Sequence, residues 1–385
     1  MTKIKWTMSI YLTFKRRRFI QYSALSMAGL LSGLYGCRRS AGAEAGSGAF
    51  SAAGSGKLGV ALVGLGKYSE EELAPALLET RACRLAGIVT GSPEKIGKWQ
   101  RKYDIPDGNV YSYSDFDRIA ENPDIDIVYV VLPNALHKEY TVRAAKAGKH
   151  VICEKPMAVS AAECEEMVAA CKKAGKLLSI GYRMHFDPST LLIRQLGENK
   201  TLGSFTSLTA RDSQKMKSGQ WRLDKALAGG GPLMDLGIYC VQASLYCAGE
   251  LPVAVKARFG KIDDPEKFAS VEQSIAFDLT FPSGLVAHCH SSYAEEENSL
   301  RIESDREWLE FSPAFSYSGL KGKTSQGKMN LPKVNQQALQ MDDFARCVNE
   351  GTRSRVPGEM GLRDLKILEA IYEAAETGSE VKLKL

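Results

Sequence analysis

The chain lacks the usual marks of a metal or thiol protein. Its nine cysteines include no CxxC pair, so the spacing of a zinc ribbon or a dithiol redox motif is missing. Cys164 and Cys171 are seven apart, as are Cys240 and Cys247, and an odd total on such pairs fits buried free thiols. His288 and His290 share one side of a strand but have no cysteine or carboxylate partner at a ligating spacing, so no metal is expected. The only apolar stretch near the start, "YSALSMAGLLSGLYG", is broken by Gly and Ser and is too short and polar for a membrane span. Nor is there an internal repeat. The net charge of +5 misleads, because residues 1–43 hold eight basic side chains and no acid, and the remainder has 42 basic against 45 acidic residues. A basic footprint for nucleic acid is therefore absent from the folded part. What remains, at 385 residues with 44% apolar and 25% charged side chains, is an ordinary globular chain long enough for two domains.

Residues 1–43 read as a targeting segment. "KRRRFIQ" resembles a twin-arginine export signal, with Arg16-Arg17 followed after one residue by Phe19 and Ile20, and such export carries proteins already folded around a cofactor. Cleavage has two candidate positions: the small-x-small "AGA" at 41–43, or the Gly-Cys at Cys37, which would leave a lipid anchor as the one membrane attachment. Residues 44–56 are a small-residue linker.

From Lys57 the pattern alternates. "LGVALVG", "RLAGIVTG", "DIVYVVLP" and "HVIC" read as buried strands, separated by the helical stretches 69–80, 92–103 and 135–148. Ser160-x-x-Glu163 is a capping box opening a further helix. Short apolar strands with helices between them predict parallel βαβ units, a doubly wound Rossmann domain over 57–181. Beyond it, alternating strands at 203–212, 253–260, 271–281, 285–293 and 299–304 predict a large, mostly antiparallel open sheet in an α+β domain over 182–385. One helical segment, 229–249, carries Asp235 and Tyr239 four apart, on one face.

Chemistry concentrates at two places. "VGLGKYSEE" sits after the first strand, where Gly64 permits a tight turn and Gly66 admits a pyrophosphate to the backbone; the third glycine of GxGxxG is replaced by Ser69. At the end of the second strand there is no acid for a ribose 2′-hydroxyl; Thr90, Gly91 and Ser92, then Lys95, suit a 2′-phosphate, so NADP is favoured over NAD. The other place is "HVICEKPMA", where Glu154-Lys155 interrupts a buried strand at the carboxyl edge of the sheet, the ligand edge of open α/β folds.

The segments "GLGKY", "LPNALH", "AGKHVICEKPMA", "IGYRMHFDP", "QWRL", "AGGGPLMDLGIY" and "SSY" appear in the order found in the Gfo/Idh/MocA oxidoreductases, and the chain most resembles their glucose-fructose oxidoreductase branch over roughly residues 57–380. The resemblance implies an NADP-dependent sugar oxidoreductase, on a retained or an exchangeable cofactor; a one-substrate aldose dehydrogenase or anhydrosugar reductase is the alternative, and a non-catalytic NADP-binding regulator fits less well. It assigns Lys155, Asp235 and Tyr239 to catalysis. To the cofactor it assigns Gly64, Gly66, Lys67, Tyr68, Thr90, Ser92, Lys95, Pro133, Asn134, His137, Glu154, Lys155, Trp221 and Arg222, and to the sugar Arg183 and Tyr293. The Lys155-Pro156 bond is commonly cis in the family. The N-terminal arm is Gly/Ala/Ser-rich rather than proline-rich, but a large open sheet still favours a homo-dimer or homo-tetramer. A lysine in a desolvated cleft is expected to have a lowered pKa and to favour the phenolate of a neighbouring tyrosine. Either Tyr239 exchanges the proton with Lys155 stabilising it and Asp235 orienting the sugar, or Lys155 is itself the acid/base. Which sugar is used depends on side chains such as those in "RDSQKMKSGQWRLDK" (211–225).

Overall fold

The structure, a computed structural model, describes residues 56–200 and 202–385. The expected targeting segment 1–43, with Arg16, Arg17 and Cys37, and the expected linker up to residue 55 lie outside the described residues.

Six strands form the first sheet: β1 (Leu58–Val63), β2 (Cys83–Val89), β3 (Val110–Tyr111), β4 (Ile127–Val130), β5 (His150–Cys153) and β6 (Leu178–Ile180), in the order β3-β2-β1-β4-β5-β6. All its pairings are parallel. The strands are apolar on both faces because helices cover both. Helix Ala161–Lys173 begins as expected, with Ser160 Oγ accepting from Glu163 N at 3.3 Å.

The second sheet has nine strands: β7 (Phe205–Ser213), β8 (Ala254–Phe259), β9 (Ser274–Thr280), β10 (Val286–Ser292), β11 (Glu297–Ser304), β12 (Trp308–Phe311), β13 (Gly322–Thr324), β14 (Gly327–Lys328) and β15 (Val381–Lys382). Its order is β14-β13-β12-β11-β7-β10-β9-β8-β15, antiparallel except for β7 with β10. One face packs on helix Ile238–Ala248. The other presents Arg211, Lys256, Arg258, Asp278, His288 and His290 around an open concavity of about 500 Å³. On that face His288 Nδ1 lies 2.7 Å from Asp278 and His290 Nε2 3.1 Å from Glu295.

The boundary at residue 181 divides the sheets but not the packing. Helix Gln336–Glu350 returns to the first domain, where Ala338, Met341, Phe344 and Ala345 share a core with Val60, Leu62 and Tyr129. Asp342 fixes it there by accepting from Arg81 N at 2.9 Å and Ala82 N at 2.8 Å. Helix Gly358–Thr377 packs on both helix Ala161–Lys173 and β8, and so ties the two domains together. An apolar helix face announces burial but does not say against which sheet.

Two expected helices open with a π-turn, Ser69–Leu73 and Leu233–Gly237. Such wide turns concentrate at functional sites. One follows the glycine loop and the other carries Asp235.

Candidate active site

The loop after β1 is built for close approach. Gly64 has φ +96°, and a Cβ there would lie 2.4 Å from the Val131 carbonyl oxygen, whereas a Cβ on Gly66 would meet nothing within 4 Å. Ser69, in the place of the third glycine, is buried and donates its hydroxyl to Gly64 O at 2.6 Å. The side chain closes the turn that a glycine would otherwise leave open. We expect Gly64→Ala to cost about 1–3 kcal/mol from φ alone, with the carbonyl clash in addition, read as a lowered denaturation midpoint and weakened nicotinamide-dinucleotide binding.

Beside the loop, Lys95 Nζ donates to Leu65 O at 2.7 Å, which brings a cation from the helix after β2 onto the glycine turn. Thr90 Oγ1 accepts from Ser92 N at 3.0 Å, while the Ser92 hydroxyl makes no cap bond to its helix. Lys67 is exposed, its Nζ 3.7 Å from Glu71 one helical turn on. The open backbone at Gly66, the helix that follows it and the adjacent Lys95 fit a dinucleotide phosphate.

At the carboxyl ends of β4 and β5, Pro133 leads into a turn whose Asn134 donates to Ala228 O at 2.8 Å. His137 is buried, with Nδ1 2.9 Å from Pro156 O and Nε2 2.8 Å from Leu132 O. It therefore lies behind the expected nicotinamide edge, stapling the Leu132 loop to the Lys155 turn. Glu154 is also buried: Tyr129 donates to its Oε1 at 2.7 Å, and Gln340 donates to Tyr129 at 3.0 Å. Burial pushes its carboxyl up. A side chain on Gly181 would collide with this carboxylate at 2.6 Å, so Gly181 is the space Glu154 occupies.

Lys155 follows, in a cis bond with Pro156. Its Nζ donates across the domain boundary to Asp235 O at 2.7 Å and Oδ1 at 3.1 Å. The π-turn widens the carbonyl ladder at this point, and the ammonium takes the Asp235 carbonyl. The other carboxylate oxygen of Asp235 pairs with Arg222 Nε at 2.9 Å and accepts from the Tyr293 hydroxyl at 3.2 Å. Lys155 Nζ also sits 4.8 Å from the centre of the Tyr239 ring. Burial opposes the charge on Lys155, but Tyr239 and Asp235 outweigh it and hold the ammonium above the ordinary lysine value. The expected lowering is thus reversed, because the cleft supplies anionic and aromatic partners along with its dryness. Asp235 is the complement: burial pushes its carboxyl up, but Lys155 and Arg222 prevail and bring it down to about 2.

Three further expected site residues are placed around this pair. Arg222, expected at the cofactor, has its Nε on Asp235 and its plane 4.5 Å from the Trp221 ring. Tyr293, expected at the sugar, is fully buried and stands behind the carboxylate. Arg183 is buried and committed, donating to Phe315 O at 2.5 Å, to Ser316 O at 3.1 Å and to Gln336. It holds down the loop that follows β12, and its plane lies 5.0 Å from the Tyr239 ring and 4.4 Å from that of Tyr317.

Two residues were not singled out in the sequence, although the second lies in the stretch 211–225. Tyr317 reaches from that loop to Tyr68 of the glycine loop, ring centres 5.5 Å apart, closing the far wall of the cleft. Nothing in its Ser/Gly surroundings signals the position. Asp212 lies at the inner end of β7, and burial pushes its carboxyl up to about 7 against the pull of Lys155 and Arg183. Its signal is an acid at an inward position of an alternating strand, after Leu208 and Ala210. Among the described residues no group of three or more His, Cys, Asp or Glu is placed to hold a metal.

Residues 58–182 match the family model described as the oxidoreductase family, NAD-binding Rossmann fold. Residues 190–310 match the GFO/IDH/MocA C-terminal domain, and 316–383 match the oxidoreductase family C-terminal alpha/beta domain. The chain is 29% identical over 340 residues to the NADP(+) D-xylose 1-dehydrogenase of Haloarcula marismortui, covering 84% of this chain and 92% of that protein. It is 28% identical over 354 residues to the D-glucoside 3-dehydrogenase of Escherichia coli, covering 86% and 99%. Among solved structures, an aldose-aldose oxidoreductase from Caulobacter crescentus, complexed with glycerol, superposes with a TM-score of 0.83 at 44% identity, covering 85% of this chain and 100% of that one.

Proposed function

Since this chain belongs to the GFO/IDH/MocA oxidoreductase family, we propose that it transfers hydride between NADP and a C–OH or C=O group of a sugar. The observation that carries the reading is the Lys155–Asp235 contact, an ammonium and a carboxylate joined across two domains at the ligand edge of the first sheet. The bound nicotinamide supplies the hydride acceptor or donor. The protein's own work is proton handling and orientation. Lys155, held protonated, is a poor base and a good donor to a sugar oxygen, which leaves Tyr239 as the group that exchanges the hydroxyl proton. Asp235, ionised by its two cations, orients the sugar and fixes Lys155; Arg222 and Tyr293 orient Asp235.

For NADP over NAD, the support is the Ser92 hydroxyl free of capping and Lys95 beside the glycine turn. We expect Lys95→Ala to reduce the NADP:NAD ratio of kcat/KM about ten- to a hundredfold, the loss of a charge-assisted phosphate contact. Steady-state rates with both cofactors measure it.

The likeness to an aldose-aldose oxidoreductase supports a cycle in which one sugar is oxidised and another reduced, which a retained cofactor would serve. The likeness to the xylose dehydrogenase supports an exchangeable one. Protein purified without added cofactor separates them. A retained cofactor gives a nicotinamide signal by mass spectrometry and changes absorbance when aldoses and then ketoses are added; an exchangeable one gives turnover only with added NADP. Lys155, Asp235 and Tyr239 standing together count against a purely regulatory NADP-binding role. Arg16-Arg17 supports twin-arginine export to the periplasm, with Cys37 as the lipid-anchored alternative. The polar outer face of the nine-stranded sheet supports a homo-dimer or larger assembly.

A further inference from the structure

β7 turns Leu208, Ala210 and Asp212 to the same inner side, and all three are buried, Asp212 being 6% exposed. A carboxyl at such a position is costly unless hydrogen-bonded. Among the described residues its one donor is Asn298 Nδ2, its cross-strand neighbour on β11, at 3.5 Å. That distance is too long for a strong bond. Asn298 is itself engaged, its Oδ1 accepting from Ala314 N at 2.6 Å and Phe315 N at 2.8 Å, in the loop that Arg183 holds and Tyr317 extends. The wide turn carrying Asp235 and the helix carrying Tyr239 both pack along β7. Lys155, Arg183 and Asp235 are the charged groups that act on Asp212, but Lys155 Nζ donates to Asp235 and the two terminal nitrogens of Arg183 donate to Phe315 O, Ser316 O and Gln336, leaving its Nε without a partner among the described residues.

We propose, on the reading of the preceding subsection, that Asp212 binds the substrate: its unfilled acceptor capacity takes a hydroxyl of the sugar held against Lys155, Asp235 and Tyr239. A buried carboxyl in this place selects a neutral polyhydroxy ligand and disfavours an acid. A value near 7 for its carboxyl lets it accept from one hydroxyl or, when protonated, donate to another. It also narrows the choice of sugar, within the stretch 211–225, to one side chain that can be tested.

The test uses the full chain loaded with NADP, the best aldose from the panel and its monodeoxy analogues. Asp212→Asn keeps the shape, and Asp212→Ser is the second variant; melting temperature and cofactor affinity are read on both. The expected result is an unchanged cofactor affinity and a sugar KM raised about ten- to a hundredfold, with kcat falling less than KM rises. One monodeoxy sugar that is penalised by the unmodified protein should carry no penalty in the variants. The assignment is overturned if both variants keep the original KM and full deoxy discrimination, or if cofactor affinity and all sugars suffer alike. If the unmodified protein turns over no sugar, the preceding reading fails and this one with it.

Discussion

Replacing Lys155 by Met is expected to lower turnover on the order of 10³-fold while leaving NADP bound, because proton handling contributes about 10²–10⁴. The residues proposed to cradle the cofactor lie elsewhere: Lys95 donates to Leu65 O beside Gly64 and Gly66, whereas Lys155 Nζ is on Asp235. Asp235 keeps Arg222 and Tyr293 as partners in the variant, so the fold should survive. Arginine at 155 should not restore the rate: its fork cannot place a compact charge against Asp235 O and Oδ1 at once. Near-normal rates in Lys155→Met, with cofactor occupancy checked by fluorescence, would remove Lys155 from the chemistry.

Asp235→Ala should combine a loss of rate with a loss of stability. It leaves two cations facing each other across a dry cleft, with side-chain exposures of 12% for Lys155 and 34% for Arg222. Removing one partner of a buried pair costs about 3–5 kcal/mol, and the partial exposure of Arg222 puts the expected loss toward the lower end. Denaturant melts measure it. Asp235→Asn keeps the shape and one acceptor oxygen, and should lose less stability but most of the rate. The pH dependence has a definite sign. The carboxyl is brought down to about 2 from an ordinary value of about 3.9, so its stabilisation is present above the ordinary value and is lost as pH falls through about 2. Wild-type stability should therefore fall in this window more steeply than that of Asp235→Asn.

The parallel sheet was legible because its strands are buried on both faces and read as continuous apolar runs, from 58–64 to 150–153. The order of the motifs was legible too, and it marked Lys155, Asp235 and Tyr239 long before their contact could be seen. What could not be read was partnership across distance. Arg222 and Asp235 are thirteen positions apart, and no spacing rule pairs a short 3₁₀ turn with a π-turn. Arg183 meets its loop through carbonyls more than a hundred and thirty residues away, a contact to backbone that leaves no trace in side-chain pattern. The pKa of Lys155 went the opposite way for the same reason: burial could be inferred from its strand and Tyr239 as a neighbour from the resemblance, but not the direct contact of the ammonium with the carbonyl and carboxylate of Asp235. Helix Gln336–Glu350 had a clear apolar face, and its sheet was decided by shape.

The most direct test of the central claim follows the hydride itself. The purified protein, loaded with NADP⁺, is mixed with an aldose fully deuterated on carbon, and the cofactor is recovered and weighed by mass spectrometry. With the reaction quenched after the time of one turnover of the unmodified protein, the account predicts reduced nicotinamide carrying one deuterium in that protein and oxidised, unlabelled cofactor in Lys155→Met. Cofactor that stays oxidised with every aldose in the panel, or that is reduced without gaining deuterium, would contradict it.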